Sequence, residues 1–289
     1  MRCWTCSGGE GWSSRGSIAN ESAWRTTSSS SWRGSVMSAS LTIAVNVFLS
    51  VVRKKVFYVL LLFAAVLILA LPALPSFGVG VKLDLFRDFA LGLTSLFSIV
   101  IVIAIGVSEI PSEVERRTIY NILSKPVRRI SFVTGKLLGL MLTLAIAIEL
   151  MSMLTFGMTA LYFGVADAGL FAASWAIFLE TSVIASFVVM ASAFATPPIT
   201  ATLAAVFYFA GHVKGTLLGP ALEDTSAATL PARLISYLLP GLEGLTVNDA
   251  VAHGVAVPPA RLGMMTLYAG AFILAFLLLG AAIFQRKDL

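Results

Sequence analysis

The sequence predicts an all-α polytopic membrane protein with six membrane-spanning helices. Three observations carry this prediction. Hydrophobic residues make up 58% of the 289 residues and charged residues only 12%, where an ordinary soluble domain has roughly 25% charged. Mean hydropathy is +0.91, more apolar surface than a soluble fold of this size can hide. The apolar residues also fall into runs near the roughly 20-residue length at which a helix crosses a bilayer.

The first 36 residues hold ten Ser and four of the five Trp. They contain no apolar run, so they are not a secretory signal peptide. They lack the composition to build a core and read as a disordered leader. The expectation is a mis-called upstream extension or dispensable tail before a start at Met37; a cytosolic regulatory tail is the alternative. Cys3 and Cys6 form a CxxC pair, but no second pair and no nearby His complete a metal or redox site. The membrane domain is expected over 37–289. It opens with an amphipathic segment, 38–54, that ends in the basic cluster Arg53, Lys54 and Lys55.

Six spans follow at about 56–77, 89–107, 137–163, 170–195, 199–218 and 262–284. The first ends at Pro72 and Pro75; the fifth is interrupted by Gly211, His212 and Lys214. Eleven Lys and Arg flank one face: residues 53–55, Arg116, Arg117, Lys125, Arg128, Arg129, Lys136, Arg286 and Lys287. The other face has Lys82, Arg87, Lys214, Arg233 and Arg261. The positive-inside rule therefore places both termini in the cytoplasm. It also accounts for the sequence pI of about 9.4 without nucleic acid.

The longest cytoplasmic loop contains SEIPSEVERRTIYNILSKPVRR, starting at Ser108. Ser112 and Glu115 form an S-x-x-E capping box after Pro111. Glu113 and Arg117 stand four apart, a favourable pair on a helix. Val114, Thr118 and Ile122, with Ile119 and Leu123, make a stripe at helical spacing, and Pro126 stops the helix. A topology anchor explains the basic residues. It does not explain Glu109, Glu113 and Glu115, which an anionic headgroup surface repels; mixed charge beside an apolar stripe suits a groove on a protein partner.

The same residues resemble the signature of type-2 ABC transporter permeases: Glu113, Glu115, Thr118, Leu123, Ser124, Pro126 and Arg129, then Gly135 and Lys136. Arg117 stands where that family usually has Gly. The ending AIFQRKDL and the outer stretch LISYLLPGLEGLTVNDAVAHG are also similar to the family's. The resemblance covers 37–289, and the nearest subgroup is that of permeases associated with multi-copper enzyme maturation. It implies a half-transporter in the inner (plasma) membrane, a partner of cytoplasmic ABC ATPase subunits and of a second copy or related permease, and a role in export. ATP and Mg would sit on the ATPase. Segment 38–54 becomes an elbow helix and 112–124 a cytoplasmic coupling helix, with Glu113, Glu115, Arg116, Thr118 and Tyr120 as ATPase contacts. An outer gate is implied within 219–260.

The chain has no ATPase site of its own in sequence. Its one Gly-Lys pair, Gly135-Lys136, has Ile130 where a P-loop needs its first Gly and Leu137 where it needs Ser or Thr. His212 and His253 form no H-x-x-x-H or H-E-x-x-H pattern, so no metal site is expected. The methionines of the third span, 141, 151, 153 and 158, read as flexible packing. Gly135 and Gly139 are a small-x-x-x-small pair for close helix contact.

Glu149 and Glu180 fall near mid-span, where a carboxylate is costly and marks a functional position. Both are candidates to line a pathway; the competing reading has them held by Ser152, Thr155, Thr181 and Ser182. They also support a rival function, an ion-coupled secondary carrier; a non-transporting membrane assembly factor is a further alternative.

Overall fold

The computed structural model describes residues 40–70, 72, 79–107, 129–223, 239–255 and 257–286. The leader, the end of the first span, the predicted coupling helix and residues 224–238 of the outer segment lie outside the described residues. Every regular element among those described is helical.

Helix α1 is Ser40–Val52 and α2 is Lys55–Ala70. Helix α3, Val79–Ile101, runs on into a π-helical turn at Val102–Gly106. Helices α4, Arg129–Phe163, α5, Gly169–Ser192, and α6, Pro197–Glu223, follow. A 3-10 turn at Leu242–Leu245 and the short α7, Asn248–Ala252, precede α8, Pro259–Arg286.

Helices α2 to α6 and α8 stand at the six expected span positions. Four segments are long and apolar enough to cross a membrane by length and composition: Lys82–Gly106, Ile130–Phe163, Gly169–Ser192 and Pro259–Ile283. Helix α2, with 16 residues, is about 24 Å long, short of a core of about 30 Å.

Two helices begin well before the expected spans. The charges at Lys82, Asp84, Arg87 and Asp88 suggested a boundary near Phe89, yet α3 starts at Val79. Its cations have partners on the neighbouring helix and loop: Lys82 Nζ lies 5.5 Å from the centre of the Tyr162 ring, and Arg87 pairs with Asp167 at 3.2 Å. Helix α4 likewise starts at Arg129 rather than Leu137. Ser131 and Lys136 are buried there, each at 2% exposure.

Helix α5 is the centre of the bundle. Seventeen of its 24 residues are buried, and it packs against α3, α4, α6 and α8. Phe187 of α5 stacks on Phe207 of α6, ring centres 4.0 Å apart, and Phe276 of α8 meets both edge-on at 5.6 and 5.7 Å. This aromatic contact ties three helices together on the half of the bundle predicted to face the cytoplasm, here the inner half. Hydroxyls inside the bundle mostly turn back to their own helix. Thr94, Thr143, Thr155, Thr159 and Thr181 each donate to the carbonyl four residues earlier. This satisfies them in a setting with no water to do so.

Helix α1 is too short to span. Its buried residues, Ala44, Val47 and Val51, recur at helical spacing and face α4. Its opposite side exposes Leu41, Val45 and Leu49. An apolar face on each side suits a helix lying at a membrane surface.

Candidate functional site

Glu180 lies eleven residues into α5, about 16 Å from the start of the helix. His212 lies eleven residues before the end of the antiparallel α6, so the two meet at one depth. His212 Nε2 is 3.5 Å from Glu180 Oε1; the Glu180 side chain is fully buried, and the His212 side chain keeps 28% of its surface exposed. Neither carboxyl oxygen of Glu180 has a hydrogen-bond partner. Tyr208, one turn earlier on α6, packs its ring against the imidazole with centres 4.5 Å apart. The Ser95 side chain of α3 lies beside its hydroxyl. Three helices thus converge on one polar cluster in an apolar bundle.

The partners expected for this carboxylate are not the ones observed. Thr181 donates to Ile177 O at 2.7 Å, and the Ser182 hydroxyl has no partner. Both are adjacent in sequence but point away from the carboxyl, because neighbours on a helix diverge by about 100°. The contact comes from another helix. His212 was legible only as an interruption of the fifth span. The usable signal was Tyr208-x-x-x-His212, two polar aromatic residues at i, i+4 on one face of an apolar helix.

Glu149 is different. It is exposed on the surface of α4 and accepts one long hydrogen bond, 3.3 Å, from Ser174 Oγ of α5. Ser174 also donates to Phe171 O at 3.0 Å. Thr155 bonds Met151 O, and the Ser152 hydroxyl is unpartnered, so the expected local partners do not hold this carboxylate either. The structure does not bring the two glutamates into one site. The α4 methionines are also dispersed: Met151 is 2% exposed and Met153 63%.

At the outer end, Asp167 clamps two elements. One oxygen accepts from the Gly169 N–H at 2.8 Å and caps α5; the other pairs with Arg87 of α3. Beside α6, the 3-10 turn and α8 border an open pocket of about 460 Å³ lined by Lys214, Glu243, Arg261, Met264 and Tyr268 among others. Lys214 Nζ donates to Leu239 O at 2.8 Å, and Tyr268 accepts from the Gly241 N–H at 2.9 Å. The turn is pressed onto α6 at Gly211, where a Cβ would stand 2.7 Å from Leu242. His253 Nδ1 lies 2.8 Å from the Asp249 carbonyl oxygen.

Among the described residues no group of three or more His, Cys, Asp or Glu is placed to hold a metal ion. Glu113, Glu115, Arg116, Thr118 and Tyr120 lie outside the described residues. The elements that flank them are described: α3 ends and α4 begins at the same inner end of the bundle.

The model of the family described as "ABC-2 family transporter protein" matches residues 41–289. The chain belongs to this family. It is the membrane permease subunit of an ABC transporter, and the match runs from α1 through the last residue. Among curated proteins, none matches the permease. The sites above are therefore features of an ABC permease, in a multi-pass membrane protein.

Proposed function

We propose that this permease subunit is half of an ATP-driven exporter of the inner (plasma) membrane, with both termini cytoplasmic. Two such subunits, copies or relatives, form the path, and separate cytoplasmic ATPase chains carrying ATP and Mg drive it. Segment 112–124 is the coupling helix, and Glu113, Glu115, Arg116, Thr118 and Tyr120 contact the ATPase. The observation that carries this reading is the capped, mixed-charge motif between α3 and α4, inside a chain that belongs to the ABC-2 family. Acidic residues beside an apolar stripe favour a protein groove over headgroups. Helix α1 supports the reading as an elbow helix, because it packs on the first turns of α4 and exposes a second apolar face. Family membership favours this function over an ion-coupled carrier or a non-transporting assembly factor.

Of the two intramembrane glutamates, Glu149 is the one with access to a path. A carboxylate exposed at mid-depth is costly against lipid, so its face of α4 is assigned to the aqueous path or the second permease subunit. Glu180 is enclosed within one subunit.

The test is co-purification of the ATPase with tagged permease from native membranes. The wild type is expected to bring down an ABC ATPase. Glu115→Arg is expected to lose most of it while the permease reaches the membrane at the wild-type level. An undiminished complex in that variant rules out the assigned contact.

A further inference from the structure

Beyond ATP-driven transport, the Glu180–His212 contact has a chemistry of its own. The carboxyl and the imidazole can carry zero, one or two protons between them. With none the pair is an anion, with two a cation, and only with one is it neutral overall, as carboxylic acid with imidazole or as carboxylate with imidazolium. A carboxyl fully buried between apolar helices, with an imidazole only partly open, favours the neutral state over either charged one.

Among the described residues, the charges of the neighbouring helices lie toward the helix ends or have partners of their own, and Glu243 is the one that acts on the pair. Helix α3 contributes Ser95, and its charged residues Lys82, Asp84, Arg87 and Asp88 belong to its outer turns; Arg87 is paired with Asp167. Helix α6 contributes Tyr208, and its Lys214 ammonium is bonded to Leu239 O. Helix α4 contributes Glu149, which is tied to Ser174. The described charges of α8 and α7, Arg261 and Asp249, lie at the outer end and are exposed. The Glu243 carboxylate of the 3-10 turn is near enough to act electrostatically on His212.

We propose that Glu180 and His212 form a binding site for one exchangeable proton, held between α5 and α6. The separation of 3.5 Å lies just beyond the 2.7–3.2 Å typical of an N–H···O bond. A shift of α6 by about half an ångström toward α5 closes that gap, and the proton then passes between Oε1 and Nε2; the reverse shift opens it. The partly exposed imidazole is the side from which the proton enters and leaves, and Glu180 is the enclosed side. The site couples its protonation to the α5–α6 contact. It does not depend on the coupling helix, so it stands or falls separately from ATPase docking.

The chain has two histidines, and His253 is exposed, so His253→Gln leaves His212 as the single reporter. The experiment is ¹⁵N NMR of histidine-labelled permease in lipid nanodiscs across pH. The His212 ring nitrogens are expected to titrate, with a midpoint displaced by at least about one pH unit, tenfold in proton affinity, when Glu180→Gln is added. Infrared difference spectra of the same samples are expected to show a carboxylic-acid C=O band that changes with pH and is absent from Glu180→Gln but present in Glu149→Gln. A His212 signal that does not titrate, or one indifferent to Glu180→Gln, overturns the proposal. So does a carboxylic-acid band unaffected by Glu180→Gln.

Discussion

Gly139 of α4 lies directly against the backbone of α1: a Cβ at Gly139 would stand 2.6 Å from the Ala44 carbonyl oxygen and 2.7 Å from Val47 Cβ. One turn earlier, a Cβ at Gly135 would stand 2.8 Å from Ile43 Cβ and 2.9 Å from the Ser40 carbonyl oxygen. The small-x-x-x-small pair is the seat of α1. Because backbone atoms form part of the contact, a larger side chain cannot be accommodated by a rotamer change and must lift α1 away. Gly139→Leu is expected to cost about 1–3 kcal/mol, read as a lower midpoint in thermal unfolding of the detergent-solubilised protein. Gly157, on the same helix, has nothing within 4 Å of its Cβ position. There Gly157→Ala is expected to be neutral or to stabilise by up to about 1 kcal/mol. Equal midpoints for Gly139→Leu and the wild type would refute the seat.

Arg87 and Asp167 give a second prediction. Arg87 is 4% exposed and its Nε already lacks a partner, so the guanidinium depends on the carboxylate 3.2 Å away. Asp167→Ala removes that partner and also the acceptor that caps α5. The expected loss is about 2–4 kcal/mol, combining an uncompensated buried charge with a lost cap. Asp167→Asn keeps an oxygen for the Gly169 N–H and should recover only the cap share, about 1 kcal/mol. A chemical-denaturation series that ranks Asn no better than Ala contradicts the division of roles between the two oxygens.

These contacts show what sequence patterning could reach. The spans were legible because hydropathy reads the membrane directly, through runs of apolar residues such as Leu262–Phe284. The helix starts were not, because charge alone does not end a helix: Lys82 and Arg87 remain helical when Tyr162 and Asp167 come to meet them. The site was half legible. A carboxylate in an apolar run, Glu180, is visible in one dimension. Its partner His212 sits 32 residues away on another helix, and only helix packing brings the two together. The local hydroxyls that seemed the natural partners were directed elsewhere by helix geometry.

The aromatic contact on the inner half predicts an energetic link among three helices. Phe207 is 7% exposed and is stacked on Phe187 with an interplanar angle of 5°. Within a membrane, lipid replaces water as the competing solvent, so truncation loses dispersion and packing rather than hydrophobic transfer. Phe207→Ala is therefore expected to cost about 1–3 kcal/mol, below the 3–5 kcal/mol of a soluble core. Adding Phe276→Ala should cost less than its effect alone, because the partner ring has already gone. Strict additivity in the double-mutant cycle would show that the rings do not act together.

Glu149 allows the exposed face of α4 to be tested without knowing the substrate. The chain contains two cysteines, Cys3 and Cys6, both before the family match begins, so a cysteine-free background needs only two Ser replacements. In that background Glu149→Cys is expected to react with a charged, membrane-impermeant thiol reagent in the assembled transporter. Leu161→Cys, at 88% exposure the most open large apolar residue of α4, lies near the outer end and serves as the accessible control. Ala147→Cys, fully buried, is the unreactive one. If Glu149 faces the path, its labelling rate should also change when ATP is bound, since alternating access opens and closes that path. Labelling of Glu149→Cys no faster than that of Ala147→Cys, with and without nucleotide, would place this face of α4 against lipid or a sealed interface and remove Glu149 from the path.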